Sequence, residues 1–475
     1  MVASWVVEEM GAVNLGDQRL NSRAQSLLSP LGSHANFSIP AACSGRAELK
    51  AAYGFFANTK TTFEKVLEPH IACTLMRMAK EQIVLLVQDT TEIDLSRPEQ
   101  EVAGAGDLDG SRRGVLLHEM QAFTPHGTPL GTAGAEVINR TQGVSHAPAA
   151  EKQRKRKQAP IEEKESVRWL TALRRARAVQ QQLPDVCCVC LGDSEADIYE
   201  LLCEPRGQTA VHWLFRACQD RALQADVGGH VRERVLAAPV LYEVNLTIRG
   251  RTAKTAVETR ARRQNRETRS AKVEVRARTV TLRPPARPDR KLPPVTVNVV
   301  LVREPNPPPS EPPVEWMLLT TLPSGTHQQV RTIVEHYCKR WCIEVFFKTL
   351  KTGCRIEHRR FEQIDRVLPC LAMYLIVAWR LAFVCHLGRE CPDINCEAIF
   401  EPAEWKAVSA AVHRQPPGET PPTLAEMVHW IASLGGYIQR ARSEPGAQTL
   451  WIGMQRMYDL AWAWDAFGPD ATNKR

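Results

Sequence analysis

The densest group of chemistry-bearing residues lies in the segment YCKRWCIEVFFKTLKTGCRIE. There Tyr337, Arg340, Glu344, Lys348 and Lys351 follow one another at steps of three, four, four and three. On a regular helix advancing 100° per residue they fall within an arc of about 80°. Ile343, Phe346, Phe347 and Leu350 fall on a different, apolar arc. Such a helix packs its apolar side on a core and shows a carboxylate flanked by cations. The same pattern is also that of a solvated helix with i,i+4 ion pairs, and Glu344–Lys348 has the spacing for one.

Two aspartates extend the group. QIVLLVQDTTEIDLS is an apolar run rich in β-formers that turns polar, so Asp89 is expected near a strand end. DVCCVCLGDSEADIYELL repeats the arrangement, with a short strand running into Gly192 and Asp193 and a helix expected from Ser194. Two strand-end aspartates and one helical glutamate offer hard oxygen donors to Mg²⁺. Phosphodiester cleavage needs an activated water and a stabilised leaving oxygen, which two metal ions about 4 Å apart supply together. Asp94, Glu195 and Asp197 are nearby acids read as decoys, Asp197 as an acid near a helix N-terminus. A coincidental trio of solvated carboxylates is the competing reading of the same residues.

The elements that would position these residues follow from pattern. Residues 1–75 read as helical and moderately basic, with helical periodicity in DQRLNSRAQSLLSPL and AELKAAYGFFANTKTTFEKVLEPH and with Pro40 and Gly45 as breaks. This region is either a DNA-contacting module or a helical cap. Residues 76–209 contain the Asp89 strand, two strands joined by the turn at Pro125, His126 and Gly127, a helix over Ser166–Gln182 and the Asp193 strand, an α/β pattern. EKQRKRKQAP, between them, is a basic surface loop or a phosphate-contacting segment. Residues 210–313 read as a mainly β insertion, with LYEVNLTIRG, AKVEVRARTVTLRPP and PVTVNVVLVRE as strands. One face is expected to be positive through Arg276, Arg278 and Arg283. Residues 314–385 return to the main fold through the strand EWMLLTTLP, and residues 386–475 read as helical.

Composition bounds the answer. At 475 residues, with 44% apolar and 24% charged residues, the chain is a globular protein of two or three domains. The excess of 61 Lys and Arg over 53 Asp and Glu favours a polyanionic partner. The start MVASWVVEEMGAV lacks the pattern of a secretory leader. The most apolar run, PCLAMYLIVAWRLAFVC, falls short of the ~20 residues a bilayer needs and is broken by Arg380. A buried helix and no membrane partner are expected. The fourteen cysteines lack a zinc-ligand quartet, so reduced thiols and a cytoplasmic location are expected.

On the spacing Tyr337, Arg340, Glu344 and Lys351, with gaps of two, three and six residues, the chain resembles the DDE transposases of the bacterial cut-and-paste insertion-sequence type, the IS-four family of the Tn-five kind. QDTTEIDLS, GDSEADIYELL, LGDQRLNSR and AELKAAYGFFANTKTTFEKVLEPH are similar to other segments of that family, and the likeness spans about Leu15 to Leu460. One departure is Ser194, where an arginine commonly follows the second aspartate.

The resemblance implies an RNase H-like (retroviral-integrase-like) core with a β insertion, an N-terminal helical DNA-binding domain and a C-terminal helical region. It implies Asp89, Asp193 and Glu344 as catalytic metal ligands, two Mg²⁺ per active site with Mn²⁺ as an alternative. Tyr337, Arg340, Lys348 and Lys351 become DNA-binding residues, and Trp316 the side chain that stacks on a displaced base. Its partners would be double-stranded DNA, as transposon inverted-repeat ends and target, and a second copy of the chain. QTLWIGMQRMYDLAWAWDAF would serve dimerisation, although by itself it also reads as an intrachain core helix. Cleavage, a hairpin intermediate and joining of the 3′ hydroxyl to target DNA are implied. A metal-dependent nuclease, an inactive DNA-binding descendant and a two-carboxylate carbohydrate hydrolase are the competing functions; the cations around Glu344 disfavour the last.

Overall fold

The structure is a computed structural model that describes residues 2–43, 45–97, 99–140, 159–205, 211–224, 227–248, 268–309, 311, 313–438 and 445–469. It divides into two compact units, one of Met1–Val84, Asp89–His146 and Trp341–Arg475, the other of Leu85–Gln88 and Ala147–Arg340. Most of the basic segment EKQRKRKQAP lies outside the described residues.

In the first unit the chain starts as helices, as their apolar periodicity requires. Asp17 caps Gln18–Ser33 by accepting the Arg19 N–H at 2.9 Å, and Thr62 caps Phe63–Met78 through the Lys65 N–H at 3.3 Å. These bonds satisfy donors that a helix start leaves unpaired. Pro40 sits inside a one-turn helix, Ile39–Ala42, rather than in a break.

Strand β1 (Ile83–Asp94) follows, then β2 (Gly106–Asp107), β3 (Arg113–Phe123) and β4 (Pro129–Ile138), with β2 and β4 antiparallel to β3. The turn between β3 and β4 falls where Pro125, His126 and Gly127 place it, and Gly127 takes the positive φ of 102° that this turn demands. The helix Ile364–Glu390 crosses this unit. It is apolar and long enough by composition to span a bilayer, but most of its apolar stretch is buried in the protein. Trp379 donates from its indole to the Pro129 carbonyl at 2.9 Å, and Arg77 lies 4.2 Å over its ring. Three further helices, Pro402–His413, Leu424–Leu434 and Ala447–Phe467, pack on one another behind it.

The second unit is built on a sheet in the order β1 (through its residues 85–88), β5 (Cys187–Gly192), β6 (His212–Arg216), β10 (Glu315–Thr320), β9 (Val295–Arg303), β8 (Arg269–Leu282) and β7 (Tyr242–Ile248). β5 and β6 are parallel; the pairs from β6 onward are antiparallel. Val84 to Gln88 and Cys188 to Gly192 are buried, the continuous apolar pattern of strands covered on both faces. The helix Val167–Gln182 packs on β5, and Trp169, Leu173 and Ala176 are among its buried residues.

Two expectations need correction. Residues 212–216 lie between β5 and β10 in the main sheet, not in an insertion, and β7–β9 extend that same sheet by pairing along the free edge of β10. A strand with one open edge offers a row of unpaired backbone groups, and β9 satisfies them. The alternation in β8 buries Ala271, Val273 and Val275 as expected. Arg276, however, donates to the carbonyls of Leu236 and Ala238 and pairs with Glu274, so it braces the unit rather than joining a positive outer face.

Candidate functional site

In the second unit, β5 ends at Gly192, where no larger residue fits. A Cβ there would come within 2.7 Å of Ala196 Cβ and 3.0 Å of both Phe215 and Trp169. Asp193 follows and caps the 3-10 turn Ser194–Ala196, its Oδ1 accepting the Glu195 N–H at 2.8 Å. The helix expected from Ser194 is thus only this turn, with a second short helix at Tyr199–Leu202. Asp197 explains the interruption. It is buried and accepts the N–H groups of Cys218 at 2.8 Å and Gln219 at 3.0 Å and the guanidinium of Arg221 at 2.5 Å. The sequence reading of Asp197 as an acid near a helix N-terminus therefore gives way to a structural clamp at the end of a turn. Glu195, the other nearby acid, pairs with Arg168 at 2.7 Å.

The parallel register places Gly192 opposite Phe215, so Asp193 and Arg216 leave their strands at the same edge of the sheet. The carboxyl edge of a parallel pair is a favoured place for a site. Arg216 was not among the residues singled out in the sequence; only the pairing of β5 with β6 brings it level with Asp193. Its guanidinium donates to the Glu315 carbonyl at 3.4 Å, beside Trp316. Trp316 is half-buried, and its ring centroid lies 5.9 Å from that of Tyr337 at an interplanar angle of 58°. Tyr337 lies on the helix His327–Lys339, whose start carries a reciprocal Thr326–Gln329 capping box. Burial pushes the Tyr337 hydroxyl above its ordinary range; the nearby cations Arg340 and Arg216 oppose that shift and Asp193 adds to it. Five residues from four separate stretches of chain thus converge in this unit: Asp193, Arg216, Trp316, Tyr337 and Arg340.

The first unit holds the other sequence-selected residues. Asp89 does not end its strand as expected: it lies mid-strand, just past the buried run of β1, which continues to Asp94, and it accepts the Thr90 N–H at 2.7 Å. The helix containing Glu344 is Cys342–Lys348, with Ile343, Phe346 and Phe347 buried and Lys348 exposed, as the apolar arc requires.

One regular helix from Tyr337 to Lys351 does not form. The α-helix ends at Lys339, Arg340 and Trp341 form a turn, and Thr349–Gly353 is a π-helical turn. The Thr349 hydroxyl bonds back to the Val345 carbonyl at 2.9 Å, and the Cys354 N–H reaches Thr349 O at 2.8 Å, a five-residue step. Gly353 lies against Trp451, where a Cβ would come within 2.8 Å of the ring. The 80° arc computed on an ideal helix therefore does not describe Lys351, which sits on the widened turn. Single π turns are frequent at functional positions.

Lys351 pairs with Glu357 at 3.4 Å, and the same Glu357 Oε1 accepts the Asp94 N–H at 3.1 Å. Glu357 was also not singled out in the sequence. Among the described residues no group of three His, Cys, Asp or Glu side chains is gathered to hold a metal ion, and the described cysteines are free thiols. Asp89 and Glu344 fall in the first unit and Asp193 in the second. Each of the three is a carboxylate, a donor type that suits hard divalent cations, and backbone N–H bonds orient Asp89 and Asp193 separately.

Comparison with known families accounts for most of the chain. Residues 2–61 match the family described as transposase DNA-binding, residues 165–379 the transposase DDE domain, and residues 376–462 the transposase Tn5 dimerisation domain. The chain is a DDE transposase, a metal-dependent enzyme that cleaves phosphodiester bonds in DNA and forms dimers. Within that class it belongs to the Tn5-like IS4 family. The DDE match includes Asp193, Trp316, Tyr337, Arg340, Glu344, Lys348 and Lys351; Asp89 precedes it.

Proposed function

We propose that this transposase binds the inverted-repeat ends of its own element and moves the element by cutting and pasting. Asp89, Asp193 and Glu344 hold two divalent cations, Mg²⁺ or Mn²⁺, which supply activation of the attacking water and stabilisation of the leaving oxygen. Arg340, Lys348 and Lys351 engage DNA phosphates, Lys351 from its π turn, and Tyr337 orders the DNA backbone beside Arg340. Trp316 stacks on a base displaced from the helix, which its half-exposed ring at the strand end allows. After the first strand is cut, the freed 3′ hydroxyl attacks the opposite strand to give a hairpin, and the reopened end joins target DNA.

The observation that carries this reading is the convergence of Asp193 with Arg216, Tyr337, Arg340 and Trp316 at one edge of the second unit's sheet. An acid beside cations and a half-exposed aromatic suits a phosphodiester and an unstacked base. The order of elements supports an RNase H-like core, with three strands β1, β3 and β4, then the helix Val167–Gln182, then the parallel strands β5 and β6. The DNA-binding match at residues 2–61 agrees with an N-terminal end-binding domain within 1–75, and the dimerisation match with a homodimer formed through the C-terminal helices. The protein acts at the bacterial nucleoid, in the cytoplasm.

The test is purified protein with labelled linear DNA carrying the inverted repeats that flank its gene, in Mg²⁺ or EDTA, with D193A in parallel. Metal-dependent cleavage at the repeat boundary, a hairpin-sized product and joined products are expected from the natural protein alone. Cleavage retained by D193A would remove Asp193 from the site.

A further inference from the structure

Glu357 stands at a junction that the proposed chemistry leaves unexplained. It lies in the single 3-10 turn Ile356–His358, entered through Arg355 in the left-handed region at φ 51°. Ile356 anchors that turn in the core, and Arg359 just beyond it is buried, donating to the carbonyls of Ala35, Phe37 and Cys354 and lying 4.3 Å over the Tyr374 ring. The backbone carrying Glu357 is therefore held from both sides.

Its Oε1 accepts the Asp94 N–H at 3.1 Å, which fixes the carboxylate to β1 five residues beyond Asp89, and the Lys351 ammonium lies 3.4 Å from the same oxygen. A lysine is a point charge on a long flexible stem, and its ammonium has three donors. One of them directed at a fixed carboxylate leaves two for a phosphate and restricts the stem before DNA arrives.

We propose that Glu357 is a positioning residue of transposition, holding the Lys351 ammonium ready for a DNA phosphate while bound to the strand that carries Asp89. This rests on the reading of Lys351 as a phosphate-engaging residue. The pair is partly exposed, so its loss should cost a small factor rather than abolish activity.

The experiment is a double-mutant cycle in the full chain with Glu357→Gln, Lys351→Ala and both together, on a linear duplex bearing the element's inverted repeat. Single-turnover cleavage at saturating DNA, end affinity and melting temperature are read for each. Glutamine still accepts the Asp94 N–H but gives Lys351 no charge. E357Q should therefore cleave about two- to fivefold more slowly, with end affinity and melting temperature near those of the natural protein. Glu357→Asp, which keeps the charge, should be faster than E357Q. In the K351A background, E357Q should cause no further loss, the coupling expected of residues that act through each other. Wild-type cleavage by E357Q, or the same loss from E357Q with and without Lys351, would overturn the proposal while leaving Lys351 in place. If K351A alone changes neither cleavage nor binding, the reading of Lys351 fails and this proposal fails with it.

Discussion

The ring of Trp316 stands 5.9 Å from that of Tyr337, tilted by 58°, at the edge of the sheet where Asp193 leaves β5. Tyr337 is buried and Trp316 is not, so the tyrosine acts as a wall against which the indole is set, with one part of its surface left open. An indole supported from one side and open on the other is suited to receive a base.

Trp316→Ala should separate the steps of the reaction. Base stacking on an aromatic contributes about 1–3 kcal/mol, and a displaced base is needed for the second strand rather than the first. Nicked ends should accumulate while hairpin product falls roughly five- to 150-fold, the same energy written as a rate. The melting temperature should change little because the side chain is only half-buried. A denaturing-gel time course reads both products; equal loss of nick and hairpin would place Trp316 in binding instead.

Asp193 and Asp197 lie four residues apart and should fail differently. D193A loses a carboxylate that caps one turn, so end binding and folding should persist. D197A strands the Arg221 guanidinium and two N–H groups in the interior. Removing one partner of a buried ion pair costs about 3–5 kcal/mol, so D197A should lower the urea midpoint sharply or yield no soluble protein. Comparable midpoints for the two variants would contradict the assignment of Asp197 as a clamp.

The contrast between these two aspartates also marks how far the sequence could be read. Apolar runs of strand length revealed β1, β5 and β10, and helical periodicity revealed Val167–Gln182, because both patterns are local. Asp193 stood out at the end of its strand and Glu344 on a helix, whereas Asp89, expected near a strand end, lies in the middle of β1. Arg216 did not, since its place beside Asp193 depends on the parallel register of β5 with β6. The π turn at Lys351 was equally hidden, and its Gly353 lies against Trp451, almost a hundred residues further along the chain. Glu357 carries no local sign of its bond to Asp94, and Asp197 none of its partners at 218–221. Local pattern displays the elements and the acids on them. What surrounds those acids is decided by pairing between distant stretches.

Arg216 is the residue that the register adds, and its substitution has a distinctive signature. R216A removes one cation from the edge that carries Asp193. If that cation meets a phosphate, end affinity should fall for all sequences alike, and the slope of log affinity against log salt should decrease by about one. Filter binding between 50 and 200 mM salt, a range in which phosphate contacts dominate the dependence, measures it. An unchanged slope would leave Arg216 as a brace for the Glu315 carbonyl.

His336 supplies a pH dependence of stability in the second unit. It is buried one residue before Tyr337, and burial, aided by the Lys339 charge, lowers its pKa to about 4. The unfolded chain protonates this imidazole near 6.5, whereas the folded protein refuses the proton until about 4. Between those values the unfolded state binds more protons, so stability falls as pH decreases and this contribution is fully present above the unfolded pKa. The urea midpoint of the natural protein should therefore drop between pH 7.5 and 5. His336→Gln, of similar size and without a titrating group, should show a shallower drop over the same interval, even if its midpoint at pH 7.5 is lower. A parallel pair of curves would show that other groups set the acid limit of this unit.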